Sequence, residues 1–245
     1  MFSGTSKNSK ILIIIPTFNE QDCIEAVVNN LRSNYSMFDY VVIDDKSTDN
    51  TKKVLDSIGA NYISLPVNLG IGGAVQTGYK YAVEHDYDIA IQMDGDGQHD
   101  PAYLNSVIDP IVNGEADICI GSRFFKNEGF QSSRSRRLGI KLLSSLVFLC
   151  LHKKYFDVTS GYRAVGKPYI ALYAREYPQD YPEPEAIVTG IRHGARIREI
   201  PVVMRARESG KSSINIKRSI YYMGKVSLAL LLANFMYRKS EDKKD

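Results

Sequence analysis

The sequence has few cysteines, little net charge and no long apolar run. Its three cysteines, Cys23, Cys119 and Cys150, are odd in number, widely spaced and set in apolar stretches. This pattern excludes a disulfide framework and a cysteine zinc site, and it predicts buried thiols in a reducing compartment. The formal net charge of +3 is too small to indicate a nucleic-acid partner.

The sequence also lacks the patterns of a membrane-spanning helix and of a signal peptide. No stretch reaches about eighteen uninterrupted apolar residues, the length typical of a membrane-spanning helix. Residues 1–9 form a polar leader without the apolar run of a signal peptide. We expect one domain over residues 10–216, followed by an apolar helix and a charged tail over residues 217–245.

Short β-branched runs alternate with helix-forming stretches through the first half of the chain. Ile11–Ile15 is continuously apolar, which is typical of a strand buried on both faces. The predicted strands are 11–15, 40–43, 61–65, 89–93 and 117–121. Asn19 is expected to cap a first helix from about Glu20, and Asp100 to cap a later one. The alternation predicts an α/β fold with a largely parallel sheet and helices on both faces.

Polar and acidic residues recur where these strands end. The segments in question are Pro16–Glu20, Asp44-Asp45, Asp94–Asp96 and Gly121–Arg123. The carboxyl ends of parallel strands meet at one edge of a sheet, where ligands bind. Asp45 is expected to be free for a ribose hydroxyl or a base N–H, because Ser47 and Asp49 can cap the helix that follows.

Asp94 and Asp96 come directly after a predicted buried strand. Residues two apart in an extended segment point the same way, and clustered carboxylates beside a diphosphate suit Mg²⁺ or Mn²⁺. The alternative is a polar turn whose acids only cap the next helix. His99 is expected to support the site rather than to bind the metal. The glycines of residues 70–73 lack the Gly-Lys-Ser/Thr of a nucleoside-triphosphatase loop, so close helix–sheet packing explains them equally well.

Basic residues crowd into the second half, next to two short apolar stretches. The first basic run consists of Arg134, Arg136, Arg137 and Lys141. It precedes an expected helix at 142–151, which covers about half of a ~30 Å hydrocarbon core. Arginine forks suit phosphate oxygens. This helix, and a second apolar stretch after Ile220, lies either in a membrane interface or against the protein core.

Six motifs stand in a fixed order along the chain. They are Ile15–Glu20, Asp44–Asp49, Asn68–Gly70, Met93–His99, Gly121–Arg123 and Ser160–Arg163. Together they resemble family-two glycosyltransferases of the dolichyl-phosphate mannose synthase and polyprenyl-phosphate glycosyltransferase type, from about Lys10 to Ile216. The resemblance implies a GT-A fold, an inverting transfer and a divalent metal.

The resemblance also implies roles for individual positions. The residues expected to bind the donor are Pro16, Phe18, Glu20, Ile43, Asp45, Asp94, Arg207 and Lys211. Those expected to bind the metal are Asp94, Asp96 and Gln98, and those expected to act in catalysis are Asp96 and Arg123. The resemblance assigns Arg123 to the acceptor or donor phosphate. Apart from the resemblance, one or more of Arg134, Arg136 and Arg137 are expected to hold the acceptor phosphate with Arg123. The chain departs from the family pattern at Ser213, where a lysine is common and Lys211 is the expected substitute, and at Lys46, which replaces a small residue.

These roles predict transfer of a sugar from a UDP-hexose, a UDP-N-acetylhexosamine or GDP-mannose to a polyprenyl phosphate at the cytoplasmic face of the cell membrane. A phosphate acceptor is already ionised, so positioning and charge suffice. Transfer to a sugar hydroxyl is the alternative, and it needs a base such as Glu183, Glu185 or Asp157. A non-catalytic binding subunit is the alternative of another class. Residues 181–185 together with residues 210–213 resemble a bacterial subgroup whose members often work beside a small membrane protein.

Overall fold

The computed structural model describes residues 9–124, 134–179, 182–205 and 224–228. Its seven strands are β1 (Ile11–Thr17), β2 (Asp39–Asp44), β3 (Tyr62–Ser64), β4 (Ile89–Gln92), β5 (Ile118–Ser122), β6 (Arg163–Gly166) and β7 (Ile197–Pro201). They form one sheet in the order β3-β2-β1-β4-β6-β5-β7. Neighbouring strands run parallel except where β6 pairs with β4 and with β5. The predicted largely parallel sheet is confirmed.

Helices cover both faces of the sheet, also as predicted. They are α1 (Ile24–Asn34), α2 (Thr51–Ser57), α3 (Gly70–Glu84), α4 (Leu104–Val112), α5 (Arg134–Leu151), α6 (Lys167–Arg175) and α7 (Pro182–Arg192). Side chains of β1 alternate between the faces: Leu12 and Ile14 join the core under α3, α5, α6 and α7. Ile13 and Ile15 join the core under α1, α2 and α4. This central strand is therefore buried on both sides, which its unbroken apolar run requires.

The first helix differs from the prediction because Asn19 bonds elsewhere. Helix α1 begins at Ile24, not near Glu20. The Asn19 side-chain oxygen accepts hydrogen bonds from the amide of Thr48 at 2.7 Å and that of Asp49 at 3.3 Å. Asn19 thus joins the loops after β1 and β2 instead of capping a helix. By contrast, Asp100 accepts from the amide of Ala102 at 3.0 Å, which confirms it as a cap.

Helix α5 also differs from its prediction. It begins at Arg134, so the basic run lies inside the helix and not before it. No helix in the described ranges combines the length and the apolar composition needed to cross a bilayer. Residues 224–228 form a helical turn whose Val226 is buried in the same core cluster as α5. The remainder of the expected C-terminal helix lies outside the described residues.

A candidate active site at the carboxyl edge of the sheet

The sheet brings the predicted site segments to one edge. Thr17 at the end of β1 is the register partner of Asp44 at the end of β2, and the amide of Asp45 donates to the Thr17 carbonyl at 2.9 Å. Arg163, the first residue of the reversed strand β6, pairs with Gln92 at the end of β4. The edge therefore collects the segments that leave β1, β2, β4 and β5 and the segment that enters β6.

Asp45, a predicted nucleoside ligand, is buried and hydrogen-bonded at this edge. It is 3% exposed, and its carboxylate accepts the amide hydrogen of Leu69 at 2.6 Å. Burial raises the pKa of Asp45 although the backbone amides of Leu69 and Gly70 oppose the shift. Asp45 therefore also holds the start of α3, and its role toward a nucleoside stays a prediction. Phe18 and Leu69, on the loops after β1 and before α3, are both exposed.

The other predicted donor residues occupy two different environments. Pro16 and Ile43 are cross-strand partners inside the sheet, and the Ile43 side chain is fully buried in the core. Any contact of Ile43 with a nucleoside would come from its main chain. Glu20 is partly exposed on the loop after β1, where its amide donates to the Thr51 hydroxyl at 2.9 Å. Arg207 and Lys211 lie outside the described residues.

The glycines at the start of α3 serve close packing. The amide of Gly72 donates to the carbonyl of Gln179 at 3.1 Å. A Cβ on Gly72 would lie 2.2 Å from the carbonyl oxygens of both Pro178 and Gln179. The start of α3 therefore packs closely on the segment before α7 and not on the sheet, so these glycines serve close packing with a different partner from the one expected.

Asp94 and Asp96 lie on the loop that follows β4. The Asp94 side chain is 37% exposed, and its main-chain amide donates to Nδ1 of His99 at 2.9 Å. The buried His99 ring stacks on Tyr162 with centroids 4.8 Å apart. Asp96 accepts the amide hydrogen of Gln98 at 3.0 Å. His99 thus supports the loop from beneath, as predicted.

The donor set of this loop fits a divalent cation that shares a substrate. No three His, Cys, Asp or Glu side chains converge as a closed metal site in the described part of the chain. Mg²⁺ commonly binds through one or two carboxylates and takes its other oxygens from phosphates and water. Gly161 keeps the approach open, because a Cβ there would lie 3.3 and 3.5 Å from the carboxylate oxygens of Asp94. Gln98 donates its amide to the Arg205 carbonyl at 3.3 Å, so it also anchors the segment leaving β7.

Arg123 directly follows β5 and forms a buried ion pair with Asp157. Nε of Arg123 lies 2.6 Å and Nη2 lies 2.7 Å from the two carboxylate oxygens, and Nη2 also donates to Thr159 at 2.9 Å. Glu199 accepts the amide hydrogen of Asp157 at 2.8 Å, and burial raises the pKa of Glu199. Asp157 is fully buried and committed to Arg123. As a general base for a sugar hydroxyl it was a wrong candidate.

A second buried arginine fixes the segment that enters β6. Arg163 is 1% exposed and donates to the carbonyl of Ser160 at 2.7 Å and to that of Glu183 at 3.3 Å. Burial raises the pKa of the partly exposed Glu183 carboxyl. Arg163 therefore ties the turn before β6 to the start of α7.

The structure describes the side chains of only some of the arginines that are predicted to bind the acceptor phosphate. Arg137 is exposed on α5. The side chains of Arg134 and Arg136 lie outside the described residues. Asp157, as the partner of Arg123, was not predicted, because the two residues are far apart in the sequence and no local pattern links them. The one sequence signal for this segment was the motif Ser160–Arg163, which lies in the turn before β6.

Comparison with known proteins agrees with this arrangement. The chain matches the model of glycosyl transferase family 2 over residues 12–176. It is 31% identical over 212 residues to the UDP-N-acetylglucosamine–dolichyl-phosphate N-acetylglucosaminyltransferase of Methanococcus voltae, across 78% of this chain and 84% of that protein. It is 31% identical over 219 residues to the undecaprenyl-phosphate mannosyltransferase of Micrococcus luteus, across 84% and 88% of the two chains.

The fold is also that of a solved glycosyltransferase. Glucosyl-3-phosphoglycerate synthase from Mycobacterium tuberculosis, crystallised with Mn²⁺ and UDP-glucose, superposes with a TM-score of 0.71. The superposition covers 94% of this chain and 80% of that one at 21% identity, which shows a shared fold of the GT-A kind. With the family match and the two relatives, these findings show that the chain belongs to glycosyltransferase family 2.

Proposed function

We propose that this protein transfers a sugar from a nucleoside-diphosphate sugar to a polyprenyl phosphate, with Mg²⁺ or Mn²⁺, at the cytoplasmic face of the cell membrane. The donor is a UDP-hexose, a UDP-N-acetylhexosamine or GDP-mannose. The two relatives named above act on dolichyl phosphate and undecaprenyl phosphate. They share a lipid phosphate acceptor and differ in the sugar, which supports the acceptor class more strongly than any one donor.

One observation carries this proposal. The segment 157–161 contacts both halves of the site, because Gly161 lies against the Asp94 carboxylate while Asp157 holds Arg123. An acidic loop suited to a cation and a guanidinium suited to a phosphate thus flank one short turn. The negative charge of Asp94 acts on Arg123, so the two groups lie within electrostatic reach of each other. This pairing is what transfer between two phosphate-bearing substrates needs.

Different residues would bind the donor with its cation and the acceptor. Asp94 and Asp96 would hold the cation, which when bound supplies Lewis-acid stabilisation of the departing nucleoside diphosphate. Phe18 would cover the base. Arg123 would orient the acceptor phosphate, whose oxygen is ionised at neutral pH and needs no proton removed. Arg137 and the neighbouring cations of α5 would add charge on the acceptor side.

The alternative acceptor, a sugar hydroxyl, requires a general base. With Asp157 buried against Arg123, the remaining candidates are Glu183 and Glu185. A carboxyl with a raised pKa, such as Glu183, is the kind of group that could accept a proton. The two acceptor classes are therefore best distinguished by offering each acceptor to the protein separately.

A transfer assay tests the proposal. Purified full-length protein is incubated with each donor, Mn²⁺ or Mg²⁺, and either detergent-dispersed polyprenyl phosphate or simple sugars, and products are identified by mass. We expect the lipid phosphate alone to be glycosylated. Asp96→Ala should reduce turnover about 10²–10³-fold, while Asp109→Ala, an exposed acid on α4, should not. Near-normal turnover by Asp96→Ala, or transfer to sugars only, would contradict the proposal.

A further inference from the structure

A buried glutamine contacts the carboxylate of Asp94. Gln92 is the last residue of β4 and is 1% exposed. Ala90, two residues earlier, belongs to the core under α3, α5, α6 and α7, so the Gln92 side chain points to that same face of the sheet. Its Nε2 donates to Oδ1 of Asp94 at 3.4 Å. Strand β4 is otherwise apolar, so a long polar side chain at this position requires an explanation.

The stability of the fold does not explain Gln92. Its Oε1 is buried and accepts no hydrogen bond within the described part of the chain. Its cross-strand partner Arg163 donates instead to the main-chain carbonyls of Ser160 and Glu183. A buried acceptor without a donor costs free energy, whereas an apolar side chain of the same shape would not. The one hydrogen bond that the Gln92 side chain makes among the described residues is therefore with the predicted cation site.

The orientation of the Gln92 amide follows from its neighbours. An ionised carboxylate only accepts hydrogen bonds, so the amide nitrogen, and not the oxygen, must face Oδ1 of Asp94. The main chain of Gly161 packs closely on the same group, because a Cβ there would lie 2.7 Å from Nε2 of Gln92. A contact of 3.4 Å is long for a hydrogen bond, and such contacts at functional sites commonly shorten once the ligand is bound.

His99 presents a second N–H group to the same carboxylate. Its Nδ1 accepts the main-chain amide hydrogen of Asp94, which places the ring proton on Nε2. This Nε2 lies 3.7 Å from Oδ2 of Asp94. Each oxygen of the carboxylate therefore faces one N–H group, Gln92 on Oδ1 and His99 on Oδ2, and the two groups together restrict how the carboxylate can turn.

We infer that Gln92 is a positioning residue of the cation site, whose amide orients the Asp94 carboxylate that holds Mg²⁺ or Mn²⁺. Hydrogen bonds to a metal-binding side chain fix its orientation, and their loss typically costs about 10- to 100-fold in metal affinity. An amide orients the carboxylate without neutralising it, whereas a lysine or arginine in its place would compete with the metal ion for the negative charge. The inference rests on the proposed function, because it requires that Asp94 holds the cation.

Replacement of Gln92 by methionine tests this role. Gln92→Met keeps the length of the side chain and removes the amide. We expect the affinity of the full-length chain for Mn²⁺, measured by electron paramagnetic resonance with UDP or with GDP, to fall about tenfold or more. The urea midpoint should stay the same or rise, because the substitution also removes the unpartnered Oε1. Weaker metal binding without a loss of stability is not expected of a residue that only supports the fold.

Gln76 provides a matched control on α3. Its side-chain amide donates to the main-chain carbonyls of Ala174 and Arg175, at 3.3 Å in both cases. It therefore joins α3 to the end of α6 and makes no contact with the acidic loop after β4. Gln76→Met should lower the urea midpoint and leave the affinity for Mn²⁺ unchanged, which is the opposite pattern to that of Gln92→Met.

The outcomes distinguish this inference from the proposed function. Weaker Mn²⁺ binding in Gln92→Met, together with a urea midpoint lowered as far as in Gln76→Met, would indicate a structural role and overturn the inference. If Gln92→Met keeps the wild-type affinity while Asp94→Asn loses it, the inference fails and the cation site of the proposed function stands. If the wild-type chain does not bind Mn²⁺ with either nucleotide, or if Asp94→Asn binds it equally well, both fail.

Discussion

The guanidinium of Arg123 and the carboxylate of Asp157 form a two-bond fork that is almost sealed from water. The Arg123 side chain is 10% exposed and that of Asp157 is 0% exposed. Arg196 and Asp117 repeat the fork at 2.8 and 3.0 Å, but with the arginine side chain 59% exposed. The protein thus contains the same pair in a buried and an exposed setting.

The two ion pairs predict losses of stability of different size when the aspartate is replaced. Asp157→Asn should lower the free energy of unfolding by about 3–5 kcal/mol, because it leaves a buried guanidinium without its counter-charge. Asp117→Asn should cost about 1 kcal/mol or less, because solvent screens an exposed pair. Urea denaturation of the two variants measures the difference. Similar costs for both would show that Asp157 is not the residue that holds Arg123.

Gly161 should tolerate no side chain beside Asp94. A Cβ would lie 2.7 Å from Nε2 of Gln92 as well as near both Asp94 oxygens, and the backbone there is not left-handed. Gly161→Ala should therefore displace the carboxylate and reduce turnover about a hundredfold. Gly224→Ala is the control, since no atom of the described residues lies within 4 Å of its Cβ position. Metal-dependent nucleotide binding, followed by thermal shift, should weaken only in Gly161→Ala.

The partly buried Glu199 makes the stability of the fold depend on pH. Its pKa is raised from the ordinary value of 4.5, chiefly by burial, so the folded state binds this proton more tightly than the unfolded state. The contribution to stability is complete below pH 4.5 and is lost as the pH rises through the raised pKa. Glu199→Gln should flatten the fall in unfolding free energy over that window, with the exposed Glu84→Gln as control. An unchanged pH profile of the urea midpoint would contradict this assignment.

Lys46 offers a stabilising substitution at the edge of the site. It is exposed and has a φ of 62°, a conformation that costs a residue with a Cβ about 1–2 kcal/mol. Lys46→Gly should raise the free energy of unfolding by about 0.5–1 kcal/mol after the added entropy of the unfolded chain. Lys53→Gly, at an exposed position inside α2, should lower it by about 1 kcal/mol. Changes of the same sign in both variants would contradict the backbone argument.

The sequence predicted those features that local periodicity encodes. The apolar runs fixed the strands, and Asp94 at the end of one of them indicated the acidic loop. The Asp100 cap was predicted because its partner lies two residues away. The pairing of Asp157 with Arg123 was not predictable in this way, because it depends on where β6 enters the sheet, which no single segment encodes. Asn19 was assigned wrongly for the same reason, since its real partners lie on another loop.

The reversed direction of β6 determines which connections the site can recruit. In a purely parallel sheet, the loop entering a strand lies at the far edge, away from bound ligands. Strand β6 runs antiparallel to β4 and β5. The turn that precedes β6 therefore lies at the same edge of the sheet as the segments that follow β4 and β5. Strand exits and a strand entrance therefore share one rim, and changes to either kind of connection can alter substrate choice while the layered core stays intact.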